Sequence, residues 1–363
     1  MRYIAALASL ILFISFPVHA EDHSSAPSRA QTVKVTALGA KTGEFCSPDR
    51  ALLFEDPTGV RILFDPATTI AGGGDTRLGV IHAVLVSHAH GDHIGNARLN
   101  QDPGSPNAAC ASGVPVIATP NSNAAGIAAA KSSAVIVASE LAAFMSRKLQ
   151  NILGSAAPGC PASGPNNEIS LPLVQPCVGN LGYGAKRTLR VPSAPSGVQI
   201  AVVPAAHGNG APADEISDPL RTQLAADNLS FAPGQASSYI VRFTNGMTAF
   251  LSGDTGLTSD MNIVVKDYYR ANFAVFNIGD IFTTGPEEAA FAVNTLMRPA
   301  SVIPSHANEQ ATVNGNATAG TKTARFMDLV REAGVYPPLS GAVMEFDGYG
   351  RCTAGCRGKQ RFR

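Results

Sequence analysis

The chain has 363 residues, of which 45% are hydrophobic and 15% are charged. Its 27 Lys and Arg residues balance its 27 Asp and Glu residues. Proteins that bind nucleic acid normally carry an excess of basic charge. The balance of charges therefore argues against a nucleic-acid partner and against a nuclease that binds the phosphate backbone. The hydrophobic content is sufficient for a sizeable core, in one large domain or two.

The N-terminus has the features of an export signal. Arg2 precedes an apolar run over residues 4–16, and Val18-His19-Ala20 has the small-residue pattern of a signal-peptidase site. A membrane anchor is disfavoured because the run is shorter than the ~20 apolar residues that span a bilayer. We therefore expect a signal peptide over residues 1–20, a disordered segment over 21–31, and a periplasmic or secreted mature protein that is not attached to the membrane.

Strand-like patterns begin after residue 32. Runs of β-branched and apolar residues bounded by turn residues predict four strands, and Asp56-Pro-Thr-Gly59 predicts a hairpin turn between the second and the third. A short helix is expected near Asp92, just beyond the fourth strand. The four predicted strands cover residues 33–38, 51–55, 60–64 and 83–86.

The composition changes to abundant Pro, Gly, Ser, Ala and Asn over residues 100–195, which we interpret as an insertion. Within it we predict strands at 114–118 and 134–137, a helix at 139–152, and an irregular stretch at 154–167. Long irregular stretches inside compact domains are usually functional or disordered, and disulfides here would favour function.

Strand patterns resume at residue 199 and then alternate with helical ones. Strand meanders followed by βα alternation occur in both halves of the chain, and two mixed β-sheets between outer helices would accommodate that order. We therefore predict an α/β (α+β) fold, a four-layer αββα sandwich in a single domain over residues 32–350, followed by a basic tail at 351–363. The later predicted strands are 199–203, 238–243, 248–251, 273–278, 301–304 and 342–346, and the later helices are 260–269, 286–297 and 321–333.

Six cysteines lie outside every metal-binding pattern, and an even number in an exported protein favours disulfides. Six cysteines allow fifteen pairings, and the sequence does not select among them, although Cys352-Thr-Ala-Gly-Cys356 is able to close a small ring. The six are Cys46, Cys110, Cys160, Cys177, Cys352 and Cys356.

A dense group of metal-binding residue types, His88-Ala89-His90-Gly91-Asp92-His93, directly follows the apolar run 83–86. In extended chain, side chains two residues apart project to the same side, so His88 and His90 are able to converge on one ion. After a turn at Gly91, Asp92 and His93 would face a second point nearby. The spacing therefore suggests two adjacent metal ions.

Three further candidate ligands each follow an apolar run. His207 comes after 199–203, Asp254 after 248–251, and His306 after 301–304. Taken alone, each residue is compatible with an ordinary loop role. The recurrence at three strand ends is the strongest internal indication that these residues belong to the same site.

With these motifs in place, the chain resembles the metallo-β-lactamase fold superfamily. The likeness rests on the His88–His93 motif, His207, Gly253-Asp254-Thr255-Gly256 and His306, which stand in the family's order. The Gly-Asp-Thr-Gly form and Ile278-Gly-Asp280 are similar to the branch of ascorbate-6-phosphate lactonase and related metal-dependent hydrolases. The chain departs from that branch in two respects. Residues 100–195 exceed what the family pattern needs, and an exported chain with cysteines differs from cytoplasmic members.

The resemblance implies a ligand set for two divalent metal ions. It places His88, His90 and His207 on one ion, and Asp92, His93 and His306 on the other, with Asp254 bridging them. Because all donors are nitrogen or oxygen, zinc, manganese and iron all fit, and the exported compartment makes zinc our default prediction.

The chemistry follows from charge. Two divalent ions, two aspartates and a bridging hydroxide leave a formal +1, which would attract a carbonyl or phosphoryl oxygen. A bound metal lowers the pKa of its water to about 7, so the bridging hydroxide is the expected nucleophile. Asp92 is the candidate catalytic residue that passes the proton to the leaving group.

We therefore expect an exported dinuclear metal-dependent hydrolase that cleaves an ester, lactone or phosphoester bond of a small molecule. An aspartate at position 254, where the antibiotic-degrading branch typically has histidine or cysteine, disfavours a β-lactam substrate. Two alternatives stay open: an iron-dependent oxidoreductase of the same fold, and a non-catalytic metal-containing binding protein that uses the insertion for a partner.

Other polar residues near the motifs have less specific signals. Asp65 and Asp280 are candidates to orient metal-bound imidazoles through a second hydrogen bond, although Asp65-Pro66 is also a common turn opening. His82 is expected to be structural, because it lies at the far end of the ligand-bearing strand. Asn209 and Ser305 lie near the metals by sequence, and ordinary loop polarity is the favoured interpretation for both.

Overall fold

The computed structural model describes residues 28, 30–111, 113–115 and 122–360. The predicted signal peptide at 1–20 and most of the predicted disordered segment at 21–31 lie outside these residues, as does part of the predicted strand 114–118. Within the described ranges, no helix combines the length and apolarity needed to cross a membrane.

The described residues form twenty strands, and most predicted strands are confirmed to within one or two residues at each end. The strands are β1 (Val33–Ala37), β2 (Leu52–Glu55), β3 (Arg61–Phe64), β4 (Ala83–Leu85), β5 (Ala97–Arg98), β6 (Val114–Pro115), β7 (Ala134–Ala138), β8 (Glu168–Ser170), β9 (Cys177–Leu181), β10 (Lys186–Arg190), β11 (Val198–Pro204), β12 (Ser237–Arg242), β13 (Thr248–Leu251), β14 (Phe273–Asn277), β15 (Ser301–Ser305), β16 (Thr312–Val313), β17 (Asn316–Ala317), β18 (Gly334–Val335), β19 (Val343–Phe346) and β20 (Cys352–Ala354).

Helices lie between the strands, mostly where the sequence predicts them. The predicted helix 260–269 is π-helical, and the predicted helix 286–297 starts as α-helix and continues as π-helix. The last predicted helix ends at Leu329, four residues early. The α-helices are α1 (Gly91–Ile94), α2 (Asn123–Lys131), α3 (Ser139–Leu153), α4 (Leu220–Ala226), α5 (Pro286–Phe291) and α6 (Lys322–Leu329), the π-helices are Met261–Tyr268 and Ala292–Met297, and Ala213–Glu215 is a 3-10 turn.

Two eight-stranded mixed sheets form the centre of the molecule. The first has the order β20-β19-β1-β2-β3-β4-β7-β9, and the second has the order β18-β15-β14-β13-β12-β11-β10-β8. The first is parallel from β3 to β9, and the second is parallel from β13 through β15 to β18. The remaining pairs are antiparallel except β8 with β10.

The sheets pack face to face over a core to which both contribute buried side chains, such as Phe54 and Ile62 from the first and Tyr239 and Val241 from the second. Helices α2 and α3 cover the outer face of the first sheet. Helices α5 and α6 and the two π-helices cover the outer face of the second. This arrangement confirms the predicted four-layer αββα sandwich.

The region at 100–195 contributes to both sheets. Strands β7 and β9 extend the first sheet, and β8 and β10 extend the second. The sequence indicates β7, whose five residues are all buried and apolar, but not β9 or β10. Gly and Asn interrupt the sequence of β9, and Lys and Arg dominate that of β10, so neither strand shows a strand pattern.

Part of the predicted basic tail packs on the domain. Strand β20 pairs with β19, and Lys359 pairs with Val335 of β18. The Lys359 ammonium also donates hydrogen bonds to the carbonyls of Met327, at 2.7 Å, and Val330, at 2.9 Å. Cations are favourable at this position because a helix C-terminus leaves its last carbonyls unpaired.

All six cysteines form disulfides, which confirms the predicted bonding; the pairing itself was not predicted. Cys46 pairs with Cys110, Cys160 with Cys177, and Cys352 with Cys356, across sequence separations of 64, 17 and 4. The first pair ties the loop between β1 and β2 to the segment that follows β5. The second pair joins the irregular stretch to the start of β9.

Removal of the Cys46–Cys110 pair should destabilise the protein more than removal of the Cys352–Cys356 pair. A disulfide restricts the unfolded chain, and the effect grows with loop length, reaching ~3 kcal/mol for loops of about 15 residues and ~4.7 kcal/mol for about 100. Urea unfolding of the two Cys→Ser double variants measures the difference. Equal losses of unfolding free energy would contradict this explanation.

Candidate metal centre

Several strands of both sheets end at one edge of the sandwich. Strands β3 and β4 are parallel neighbours in the first sheet. In the second sheet, β11, β13, β14 and β15 all run in the same direction, because β12 is antiparallel to both β11 and β13. The loops that leave these strands therefore meet, and they carry all seven predicted ligands.

The first group of candidate ligands comprises His88, His90, His207 and Asp254, whose donor atoms all lie within 4.8 Å of one another. The Nε2 of His88 lies 2.9 Å from the Nδ1 of His90, which lies 3.3 Å from the Nε2 of His207. The Asp254 carboxylate is 3.5 Å from the Nε2 of His207. Three imidazole nitrogens thus point at one another beside a carboxylate.

The second group comprises Asp92, His93 and His306. The Nε2 of His306 lies 3.1 Å from the Asp92 carboxylate, and the Nε2 of His93 lies 3.8 Å from it. Asp254 also faces this group, at 3.4 Å from His93 and 3.1 Å from His306. Asp254 therefore lies between the two groups, where the resemblance places a bridging ligand.

Glycine is required immediately before Asp254. Gly253 has a φ of +56°, and a Cβ at this position would lie 2.4 Å from the Cβ of Ser87. Because glycine has no side chain, the end of β13 is able to approach the end of β4. This close approach brings Asp254 beside His88 and His93.

Burial controls the protonation of the first group. It holds the pKa of His88 well below its ordinary value, and neighbouring imidazoles add to the effect. Burial likewise lowers the pKa values of His90 and His207. These histidines are consequently neutral at pH 7, the form in which an imidazole nitrogen binds a metal.

In the second group, neighbouring charges outweigh burial and favour the ionised forms of Asp92 and His93. Burial disfavours a charged His93, but Asp254, Asp65 and Asp92 outweigh it and raise the pKa of His93 well above its usual range. Burial disfavours ionised Asp92 and Asp254, but nearby His93 and His306 hold both carboxyl pKa values low. The surroundings therefore favour positive charge between these carboxylates.

The donor set fits metal ions. Among the described residues, the Nε2 of His93 and the Oδ1 of Asp254 are buried without a hydrogen-bond partner, although they lie only 3.4 Å apart. Unpartnered buried polar atoms are costly, and a cation between them would remove the cost. Imidazole and carboxylate donors at two adjacent points suit first-row divalent ions.

Asp65, at the end of β3, supports the second group. Its carboxylate accepts hydrogen bonds from the Nδ1 of His93, at 2.8 Å, and from the Ser87 hydroxyl and backbone N–H, both at 2.8 Å. The other candidate for this role, Asp280, is exposed, and its carboxylate accepts a bond from the backbone N–H of Ile281. Of the two, the structure places Asp65 against a candidate ligand.

Arg50 is a functional candidate that was not predicted from the sequence. Its buried guanidinium donates from Nε to the Asp92 carboxylate at 3.1 Å and from Nη2 to Asn308 at 2.7 Å. Asn308 lies two residues after His306, so Arg50 contacts the loops of two candidate ligands. A lone arginine in the loop between two strands carries no motif, and no sequence signal identifies it.

The remaining predicted residues have structural contacts. Buried Asn209 accepts a bond from the backbone N–H of Ala89 at 2.6 Å and donates to the Pro233 carbonyl at 2.9 Å. His82 accepts a bond from the backbone N–H of Arg61 at the far end of β4, as expected. Ser305 ends β15 and accepts a backbone bond from Ile278 through its carbonyl.

Known proteins resemble the chain over most of its length. No family model matches it. A "UPF0173 metal-dependent hydrolase" of Polynucleobacter asymbioticus is 27% identical over 335 residues, which are 89% of this chain and 93% of that protein. A protein of the same description from Cupriavidus necator is 26% identical over 317 residues, covering 87% of each chain.

Solved structures share the architecture. A metallo hydrolase from the archaeon Ignicoccus hospitalis has a TM-score of 0.52 at 20% identity, covering 87% of this chain and 99% of that one. CmlA, a diiron β-hydroxylase of Streptomyces venezuelae, has a TM-score of 0.50 at 10% identity, covering 87% and 54%. At these identities, the likeness concerns the fold alone.

The relatives agree with the predicted resemblance to metal-dependent hydrolases, and the solved structures confirm the αββα fold class. They also confirm the predicted enzyme class, since the curated relatives are described as metal-dependent hydrolases. The individual ligands, the number and identity of the ions, and the substrate stay predictions.

Asp65→Asn should weaken zinc binding about 10- to 100-fold, the usual effect of losing a carboxylate that orients a metal-bound histidine. Titration against a competing chelator measures this affinity. Asp280→Asn is the matched control and should bind zinc like the wild type. Equal affinity in the two variants would show that the Asp65 contact does not support the metal centre.

Arg50→Met should weaken metal binding by the second donor group more than by the first, because Asp92 loses its donated hydrogen bond and Asn308 loses its link to the same side chain. We expect about a tenfold loss of affinity at the second group. Two-site calorimetric titration with zinc resolves the two affinities. Arg325→Met, which breaks an exposed pair with Glu287, is the control and should change neither.

Proposed function

We propose that this chain is an exported dinuclear metallohydrolase that cleaves an ester, lactone or phosphoester bond. One observation carries the proposal: two adjacent groups of His and Asp donors share Asp254 between them. The hydrolase description of the curated relatives supports the reaction class. The predicted signal peptide and the three disulfides support export, because disulfides persist in oxidising compartments.

The ligands of the two ions are proposed as the two donor groups. His88, His90 and His207 would hold the first ion as neutral imidazoles. Asp92, His93 and His306 would hold the second, with Asp254 contacting both. When bound, two divalent ions would polarise the substrate oxygen and supply hydroxide at neutral pH. Zinc is our default for both ions, with manganese or iron as alternatives that the same donors accept.

The surrounding residues would act by fixing geometry and charge. Asp65 accepts a hydrogen bond from the Nδ1 of His93, which would leave the Nε2 of His93 available to hold the second ion. Arg50 holds Asp92 in place and favours its ionised form. We propose Asp92 as the proton carrier to the leaving group, because its side chain is partly exposed at the site whereas that of Asp254 is buried.

The direct test is a panel of esters, lactones and phosphodiesters assayed with the metal-loaded mature protein. Hydrolysis should be lost after chelation, restored by zinc or manganese, and reduced at least ~10²-fold in Asp254→Asn, because both ions lose a ligand. Asp267→Asn, in an exposed ion pair on the π-helix Met261–Tyr268, should retain wild-type activity. No turnover of any substrate with both metals bound would defeat the proposal, and oxygen uptake with bound iron would select the oxidoreductase alternative.

A further inference from the structure

Two large apolar side chains are exposed on the loop that leaves β14. Ile281 has an exposed fraction of 86% and Phe282 of 75%. Scattered exposed hydrophobic residues are ordinary, but adjacent large ones beside a polar centre commonly mark a binding surface.

This loop spans the candidate metal centre from one donor group to the other. At its start, Gly279 packs so closely on His306 that a Cβ would lie 2.5 Å from the His306 carbonyl oxygen. Near its end, the backbone of Phe282 lies close enough to the His207 ring to favour the protonated imidazole. The exposed pair is therefore held between a residue of the second group and a residue of the first.

The base of the loop is fixed on both sides. The Lys322 ammonium donates to the carbonyls of Gly279, at 2.8 Å, and Ala307, at 3.0 Å. On the other side, the Thr284 N–H donates to the Thr255 carbonyl at 3.2 Å, in the loop that carries Asp254. Both ends of the loop are thus tied to loops that carry candidate ligands.

The backbone at Ile281 and at the residue before it is in an unfavourable conformation. Asp280 and Ile281 have φ values of +63° and +60°, a region that a β-branched residue such as isoleucine rarely adopts. Such strain is found where function requires a particular direction of the chain. Here it places the apolar side chains in solvent beside the metal ligands, where folding alone would favour a polar residue.

We propose that Ile281 and Phe282 form an apolar wall of the active site that binds the hydrophobic acyl or aryl part of the substrate. This inference rests on the proposed hydrolase function and narrows its substrate class to molecules that carry an apolar group next to the scissile bond. Binding sites for small molecules are mostly apolar surfaces with a few polar groups that fix orientation. The metal centre would supply those polar groups, and the loop would supply the apolar surface.

Alkyl hydroxamates test the proposed apolar wall without requiring turnover. Their hydroxamate group binds metal ions, and only the length of the alkyl group varies along the series. Calorimetric titration of the zinc-loaded protein measures the Kd of each compound in the series from acetohydroxamate to octanohydroxamate. In the wild type, Kd should fall about 10- to 100-fold along the series, the effect of burying several methylenes. In Phe282→Ser and Ile281→Ser this dependence should be strongly reduced, while the Kd of acetohydroxamate stays the same.

Val80→Ser is the matched control, because Val80 is 59% exposed and precedes β4, at the strand end opposite the metal centre. It should keep the wild-type dependence on chain length. A Kd that does not change with chain length in the wild type, or the same dependence in Phe282→Ser as in the wild type, overturns the inference and leaves the hydrolase proposal intact. No binding of any hydroxamate by the zinc-loaded wild type would overturn both.

Discussion

The organisation of this protein depends on one electrostatic requirement: converging imidazoles and carboxylates at the edge of the sandwich need positive charge between them. His88, His90 and His207 direct nitrogens of neutral imidazoles at one point, where their lone pairs would bind a cation. Buried atoms of His93 and Asp254 have no hydrogen-bond partner among the described residues. Two divalent ions would satisfy both conditions at once, which is why a metal centre explains the arrangement better than an ordinary polar network.

The fold supplies this arrangement through strand direction. Strands of both sheets have their carboxyl ends at the same edge of the sandwich. Residues that are distant in sequence therefore lie close together at this edge without long loops. Supporting contacts then orient the donors: Asp65 contacts His93, and Arg50 links Asp92 to Asn308. Gly253 allows the two sheets to approach closely enough for Asp254 to face both groups.

The candidate ligands and most of the strands that carry them could be predicted from the sequence, because the patterns that identify them are local. The motif from His88 to His93 is contiguous, and His207, Asp254 and His306 each follow a recognisable strand. Arg50 could not be predicted, since its role arises from a contact with Asp92 that joins different loops. Strands β9 and β10 were missed because they extend the sheets with polar or glycine-containing sequence, which tertiary pairing stabilises despite weak local preference.

The most direct test of the metal centre is the number of ions that one chain binds, measured by native mass spectrometry after zinc loading and removal of excess metal. We predict two zinc ions per chain, both removed by chelation. A single ion, or none, at saturating zinc would contradict the dinuclear centre on which this explanation depends.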